Sequence, residues 1–316
     1  MLTYRTFKNF DPPTLASLWR SRAGQPGLWQ PVSPDLLEQL VFAKLYFDYQ
    51  GLWLASEDGQ TVGFAHAGFG PNADRTGVST DAGVICLALL QPGPAEAEVA
   101  DGLFDRCEQY LRQRGARTIQ GGGVAPRNPF YTGLYGGSEL PGVLDSDATV
   151  RSALAARGYR EVEQVVLLQR DLNGFEALID RRQMQIRRQT IVEVTIDAPT
   201  QTWWDACTVG EFDLTRFDLV PRTGDEPIAS ATFRSMEPSG TTSAGRAVGL
   251  INITVAEPYR RRGLAIFLLS EAFRQFLRLG ITQVDAQLPK NDSVLPAMFQ
   301  KLGFHKVQEG GVWQKT

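Results

Sequence analysis

The stretch Asn252-Ile253-Thr254-Val255-Ala256-Glu257-Pro258-Tyr259-Arg260-Arg261-Arg262-Gly263-Leu264-Ala265 decides the fold of its half of the chain. With Gly249-Leu250-Ile251 before it, it opens as a short apolar run rich in β-branched residues, the pattern of a buried strand. Pro258 cannot donate to a ladder and ends that strand. A turn holding Gly263 and the small Ala265 follows, after which Ile266, Leu269, Phe273, Phe276 and Leu277 recur at helical spacing. Gly280 stands where a helix takes its terminal glycine. Strand, glycine turn and helix together make an anion site. The first amides of a helix lack intrahelical partners, the macrodipole adds about half a positive charge there, and a glycine lets the backbone approach a phosphate. Arg260, Arg261 and Arg262 add formal charge. Alone, such a run is a solvated basic turn or a patch for nucleic-acid phosphates. Between this strand and this helix it reads as a diphosphate site.

The pattern recurs upstream. Gly83-Val84-Ile85-Cys86-Leu87-Ala88-Leu89 resembles Gly249-Leu250-Ile251-Asn252-Ile253-Thr254-Val255, 166 positions later. The same spacing of 166 pairs Val62-Gly63-Phe64-Ala65 with Ile228-Ala229-Ser230-Ala231, and Pro92 with Pro258. A helical pattern over 103–114, closed by Gly115, matches 268–279, closed by Gly280, at a spacing of 165. Ala156-Arg157-Gly158-Tyr159 resembles Lys301-Leu302-Gly303-Phe304, and Asp11-Pro12-Pro13-Thr14 resembles Asp197-Ala198-Pro199-Thr200. Spacings that hold within blocks and change between them mark a duplication with inserted loops. The expected architecture is therefore α/β: two tandem units, each a mixed sheet flanked by helices, covering 1–172 and 173–316. The stretch 129–148, rich in Gly, Tyr and Pro, is expected to be a surface loop or lid of the first unit.

Composition removes other classes. The 316 residues carry 32 Lys and Arg against 35 Asp and Glu, a net charge of -3, which argues against a general nucleic-acid binder. Cys86, Cys107 and Cys207 are odd in number and far apart, and the only histidines are His66 and His305, so neither a disulfide framework nor a metal site is expected. Gly-x-x-x-x-Gly-Lys-Ser/Thr and Gly-x-Ser-x-Gly are both absent. No apolar run is long enough to cross a membrane, and Met1-Leu2-Thr3-Tyr4-Arg5 does not open a basic-then-apolar leader. A reducing, cytoplasmic setting is the expectation.

Arg260-x-x-Gly263-x-Ala265 resembles the Arg/Gln-x-x-Gly-x-Gly/Ala signature of the GNAT (Gcn5-related N-acetyltransferase) superfamily, with Val255 at the family's spacing ahead of it. Asn291-Asp292-Ser293, followed by Phe299-Gln300-Lys301-Leu302-Gly303-Phe304, resembles the family's second block, an asparagine and then a short helix ending Tyr-x-x-Leu-Gly-Phe. The double layout is similar to tandem acetyltransferases such as mycothiol synthase. The resemblance implies two tandem GNAT-like acyl-CoA N-acyltransferase domains, with acetyl-CoA as cosubstrate and no metal. It implies that backbone groups of Ile253, Thr254 and Val255 pair with the pantetheine arm like an added strand. The turn Arg260, Arg261, Arg262, Gly263, Leu264 and Ala265 would hold the diphosphate, with Asn291 and Asp292 nearby. The implied reaction moves an acetyl group to a primary amine of a small molecule or peptide, in the C-terminal domain. The alternative is a non-catalytic acyl-CoA-binding or sensing protein.

The resemblance is incomplete at the catalytic positions. The tyrosine that commonly protonates the leaving thiolate falls on Phe299, and the asparagine position, counted back from there, falls on Asp292. Tyr259, Ser293 and Tyr135 are the candidates to replace that acid, and Asp285, on an expected strand over 283–288, is the candidate base. In the first unit, the spacing of 166 sets Pro94-Ala95-Glu96-Ala97-Glu98-Val99 against the turn. A proline without an amide, a lost glycine and two carboxylates make this a degenerate copy that does not hold CoA. Trp203-Trp204 is expected to open a helix and sit in the core, His66 to be a satisfied core histidine and His305 to be exposed. Arg181, Arg182, Arg187 and Arg188 are expected to form a solvated helix face. Two units in one chain imitate a dimer, so a monomer is expected.

Overall fold

The computed structural model describes residues 1–177, 180–237 and 247–316. Contacts divide the chain into two compact units. Unit 1 comprises Met1–Val165, Gln201–Glu211 and Gln308–Thr316; unit 2 comprises Val166–Thr200 and Phe212–Val307. This differs from the single cut expected after residue 172, for a structural reason. Leu168 and Leu172 belong to the core of unit 2. Two later segments fold into unit 1: Trp204 Nε1 donates to Pro126 O at 2.8 Å, and Trp313 pairs with Gly121.

The first unit begins with β1 (Leu2–Thr6), α1 (Pro12–Ser21) and the short α2 (Pro34–Leu37), then β2 (Leu52–Glu57), β3 (Gln60–Pro71) and β4 (Val78–Leu90). It continues with α3 (Glu96–Gln113), β5 (Thr118–Gly121), the two-residue β6 (Val143–Leu144) and α4 (Ala148–Ala156). Strand β7 (Arg160–Asp171) runs across the division. Then come α5 (Arg181–Gln189), β8 (Thr190–Ile196), α6 (Trp203–Val209), β9 (Leu214–Pro221), β10 (Ala229–Ser235) and β11 (Ala247–Val255). The chain closes with α7 (Leu264–Arg278), β12 (Gln283–Pro289), α8 (Leu295–Lys301) and β13 (His305–Lys315).

In unit 1 the sheet runs β1-β2-β3-β4-β5-β13, with β6 on β13; in unit 2 it runs β7-β12-β11-β10-β9-β8. Strands β1–β2, β2–β3, β3–β4, β5–β13, β6–β13, β8–β9, β9–β10 and β10–β11 pair antiparallel, whereas β4–β5 and β11–β12 pair parallel. Each parallel pair is a strand–helix–strand crossover, through α3 in unit 1 and α7 in unit 2. Helix α3 presents Val99, Leu103, Phe104, Cys107 and Leu111 to the core of unit 1. Helix α7 buries Phe267, Leu268, Phe273 and Phe276 in unit 2. There Phe276 meets Phe233 and Phe217 edge-on at 4.9 and 5.3 Å.

The stretch 129–148 is not a surface lid. Phe130, Tyr131, Leu134, Leu140 and Leu144 are buried in unit 1, and Leu144 and Val143 pair with Gly310 and Gly311. Its glycines supply bends, with positive φ at Gly133, Gly136 and Gly142, while the aromatic residues between them fill the interior. Trp204 is fully buried and His305 is exposed, as the sequence suggests, whereas Trp203 is exposed. His66 is a core histidine but not a fully satisfied one: its Nδ1 lies 3.0 Å from the Tyr131 hydroxyl, while its buried Nε2 has no partner among the described residues.

Phe276→Ala removes a buried aromatic side chain between two others and is expected to cost about 3–5 kcal/mol of unit 2 stability, with Phe276→Leu costing clearly less. Urea unfolding followed by circular dichroism checks this, with tryptophan fluorescence reporting unit 1 separately, since all six tryptophans lie there. Equal, near-zero losses for both variants would contradict the assigned core.

Candidate functional site

The site grows from the way β11 leaves its parallel neighbour. Ala247, Val248, Gly249 and Leu250 pair with Gln283, Val284, Asp285 and Ala286, and among the described residues the pairing ends there. On its other side β11 continues beside β10 to Val255, with a register shift that leaves Ile251 as the extra residue of a bulge. The bulge changes which residues face the core. Val248 and Leu250 point into it before the bulge, and Ile253 and Val255 pack against it afterwards. Asn252 and Thr254 are exposed. Among the described residues, the edge of 251–255 turned toward β12 therefore has no strand partner, the geometry an extended ligand arm can pair with.

Beyond Val255 the chain makes a short 3-10 turn at Glu257–Tyr259, and Arg260 Nε donates to Val255 O at 3.1 Å. Arg261 and Gly263 both take left-handed backbone, with φ of 60° and 81°. Gly263 is the N-cap of α7 and makes no side-chain cap, so the first amides of that helix point outward. Arg262 lies over the ring of Tyr259 at 5.6 Å. No carboxylate pairs with Arg260, Arg261 or Arg262 among the described residues. The turn thus joins unpaired amides, a helix dipole and three cations, an arrangement suited to a diphosphate. These features fit an acyl-CoA.

The expected catalytic side chains scatter. Asp285 sits on β12 opposite Gly249, where the two strands begin to part. Its neighbours Val284, Ala286 and Leu288 enter the core, so Asp285 faces the other side of the sheet. It accepts hydrogen bonds from Gln283 Nε2 at 2.9 Å and Gln169 Nε2 at 3.3 Å. Burial pushes its carboxyl above the ordinary aspartate range, opposed by those two hydrogen bonds and by the charge of Arg234. Tyr259 is partly exposed on the turn, and Asn291 and Ser293 are exposed before α8. Asp292 is engaged locally: its Oδ1 accepts from Val294 N and Leu295 N, both at 2.7 Å, and starts α8. Phe299 is buried against Phe304 at 4.9 Å, in the core. Tyr135 is no proton donor to a ligand, because its hydroxyl is buried, bonded to Asp147 Oδ2 at 2.6 Å and to Leu144 N at 2.9 Å. Nothing in the motif pointed to Gln169. The bulge at Ile251 did leave a signal, since the apolar positions move there from even to odd numbers.

Unit 1 repeats the frame with a different interior. Ala82, Gly83, Val84 and Ile85 pair with Thr118, Ile119, Gln120 and Gly121, and the bulge falls on Cys86. These positions lie 165 residues before their unit 2 counterparts, not 166 as the sequence comparison gave. The corrected spacing sets Glu98, not Ala97, against Gly263, and α3 begins three residues earlier than α7 does. Protein side chains reach further along the same strand edge here; at its end the two units agree, Leu90 O accepting from an arginine as Val255 O accepts from Arg260 Nε. Asn128 Nδ2 donates to Cys86 O at 3.2 Å, Arg22 Nη1 to Leu90 O at 2.8 Å, and Gly122 N to Ile85 O at 2.9 Å. Tyr135, Val143 and Asp147 line the remaining narrow cavity against Cys86, Leu87 and Ala88.

A model described as the acetyltransferase (GNAT) family matches residues 184–304. Among curated proteins, GCN5-related N-acetyltransferase 6, chloroplastic, of Arabidopsis thaliana is 34% identical over 104 residues, which cover 32% of this chain and 35% of that protein. This match thus spans about a third of the relative's length. Solved structures resemble the whole chain. A GCN5-related glucosamine N-acetyltransferase region of a fungal multi-domain GH3 β-N-acetylglucosaminidase aligns at a TM-score of 0.70 and 18% identity, covering 100% of this chain and 38% of that one. A tandem GNAT protein from the clavulanic acid biosynthesis pathway aligns at 0.69 and 12% identity, covering 100% and 98%. A GCN5-related N-acetyltransferase from Sphaerobacter thermophilus aligns at 0.61 and 15%, covering 99% and 95%. At these identities the structures speak for the fold. Among the described residues no group of three or more His, Cys, Asp or Glu is placed to hold a metal ion, and no helix is long and apolar enough to cross a membrane.

Asp285 generates a pH-dependent prediction. Its folded-state pKa lies above the ordinary value of 3.8, so the native state holds the proton to higher pH than the unfolded chain does. Its contribution to stability therefore falls as pH rises through that window. Asp285→Asn is expected to raise the urea midpoint relative to the parent at pH 7 and to lose that advantage near pH 3. The same shift at both pH values would contradict a strained carboxylate.

Proposed function

We propose, from the premise that residues 184–304 are a GNAT-family domain in a chain with the tandem GNAT fold, that this protein is an acetyl-CoA-dependent N-acetyltransferase. It acts on a primary amine of a small molecule or peptide, and its working site is in unit 2. The observation that carries the reading is the open edge of 251–255 leading directly to the left-handed Gly263 and the N-terminus of α7. We assign 1–172 to a degenerate GNAT-like domain and 173–316 to the domain that binds acetyl-CoA, with the exchanged segments noted above.

Acetyl-CoA supplies an acetyl group activated as a thioester. The chain's own groups do the rest. Backbone groups of Ile253, Thr254 and Val255 align the pantetheine arm. The amides of Gly263, Leu264 and Ala265, with Arg260, Arg261 and Arg262, hold the diphosphate, and Asn291 and Asp292 flank the site. An alkylamine has a pKa near 10 and arrives protonated. Asp285, held by Gln169 and Gln283 where the strands part, takes that proton through water. The amine nitrogen then forms its bond to the acetyl carbon as the carbon–sulfur bond breaks. Phe299 has no proton for the sulfur, which leaves Tyr259, Ser293 or solvent as the donor. A thiolate with a pKa near 8.5 is a tolerable leaving group without one. Juxtaposition of the two reactants supplies much of the acceleration. The fungal neighbour is a glucosamine N-acetyltransferase region, which makes an amino sugar one acceptor to include in a screen.

A second reading, a non-catalytic acyl-CoA-binding or sensing protein, is favoured by the buried Phe299. Release of free thiol from acetyl-CoA, assayed over glucosamine, polyamines and peptides with free amines, separates the two. Turnover above background with one acceptor class, lost in Asp285→Asn, is the expected result. Gly263→Glu sets a carboxylate at the diphosphate, worth roughly 4 kcal/mol at about 4 Å, and is expected to weaken binding about a thousandfold. Acetyl-CoA binding without turnover would favour the sensing protein, and binding undiminished in Gly263→Glu would contradict the assigned site.

A further inference from the structure

We infer that Arg182 is the residue that selects for the 3′-phosphate of CoA; this rests on the acyl-CoA reading of unit 2. Arg182 belongs to α5, which comes before the family signature, and reads in sequence as part of a solvated basic face. The structure separates these arginines by use. Arg187 is ion-paired with Glu271 on α7. Arg182 instead lies along the glycine of the phosphate turn: a Cβ added at Gly263 would stand 3.2 Å from Arg182 Cδ and 3.6 Å from Gln183 Nε2. Helices α5 and α7 thus begin side by side, with Arg182 near Gly263 and Arg187 near Glu271. Gln183 is buried, which fixes the start of α5, and its amide is capped by Asp180 Oδ1 at 2.7 Å.

Cations outnumber carboxylates around this point. Arg181 and Arg182 have no carboxylate partner among the described residues, nor do Arg260, Arg261 and Arg262. Of the nearby acids, Asp180 is engaged as the cap of α5, and Glu257 accepts from Arg260 N through its backbone carbonyl only. The amides at Gly263, Leu264 and Ala265 serve the diphosphate, which is singly charged at each phosphorus. The remaining phosphate of CoA is a monoester. Such a group carries nearly two negative charges at pH 7 and offers three oxygens to a planar guanidinium. Arg182 is the cation that a second helix brings against the turn, on an exposed surface where a ribose phosphate can reach it. Gly263 then has two uses, a left-handed turn and a gap through which the stem of Arg182 passes.

Calorimetric titration of the full chain with CoA and with 3′-dephospho-CoA tests this. The parent protein should prefer CoA by about ten- to hundredfold. Arg182→Ala should bind 3′-dephospho-CoA as the parent does and lose most of the preference. Arg182→Lys should keep part of it, and Arg188→Ala, on the exposed side of the same helix, should keep all of it. Unchanged urea midpoints for the variants secure the comparison. A preference intact in Arg182→Ala, or equal weakening of both ligands, would overturn the assignment while leaving the acyl-CoA reading standing. Failure of the parent to bind either ligand would instead overturn that reading, and the inference with it.

Discussion

Strands β11 and β12 share four rungs, from Ala247–Gln283 to Leu250–Ala286, and then part. The extra residue at Ile251 keeps β11 hydrogen-bonded to β10 while reversing which of its side chains enter the core. The backbone edge exposed by that parting would be costly if it were buried without partners. It is tolerable because water or a ligand arm can pair with it. The position of the turn, the start of α7 at Gly263 and the placement of Asp285 at the fork all follow from where the rungs stop.

Unit 1 has the same fork, with its own bulge at Cys86 and its own four rungs. There the cost is met from within. The segment 129–148, together with Asn128 and Arg22, supplies hydrogen-bond donors and apolar side chains to the place a ligand arm would take. Self-filling and the loss of the glycine turn point the same way. A copy without a ligand at its fork leaves that edge to water unless protein occupies the opening, and the added segment occupies it. The carboxylates of Glu96 and Glu98, which suit the start of α3 through its dipole, are the lesser reason.

Much of this was legible in the residues, and the exceptions have physical causes. The strand, turn and helix around Gly263 could be read because each depends on local chemistry: β-branched residues, a proline, a glycine at positive φ and an apolar helical stripe. The duplication was legible for the same reason, although the spacing over the strand was one residue out. The run 84–90 is apolar throughout, so it gives no sign of its register, and only the pairing fixes it. The stretch 129–148 misled because Gly and Pro suit buried bends as well as exposed ones, and burial is decided by distant partners such as Gly310 and Gly311. Segments 201–211 and 308–316 were assigned to unit 2 by order in the chain, whereas their contacts lie in unit 1. The place of Arg182 against Gly263 is a tertiary fact that no local pattern carries.

The two units differ in that one fork is open and the other filled. Amide hydrogen exchange of the full chain, measured by mass spectrometry with and without saturating acetyl-CoA, tests this directly. The prediction is slowed exchange across 253–265, with peptides spanning 86–98 unchanged. Protection of 86–98 equal to that of 253–265, or no protection of 253–265 at all, would contradict it.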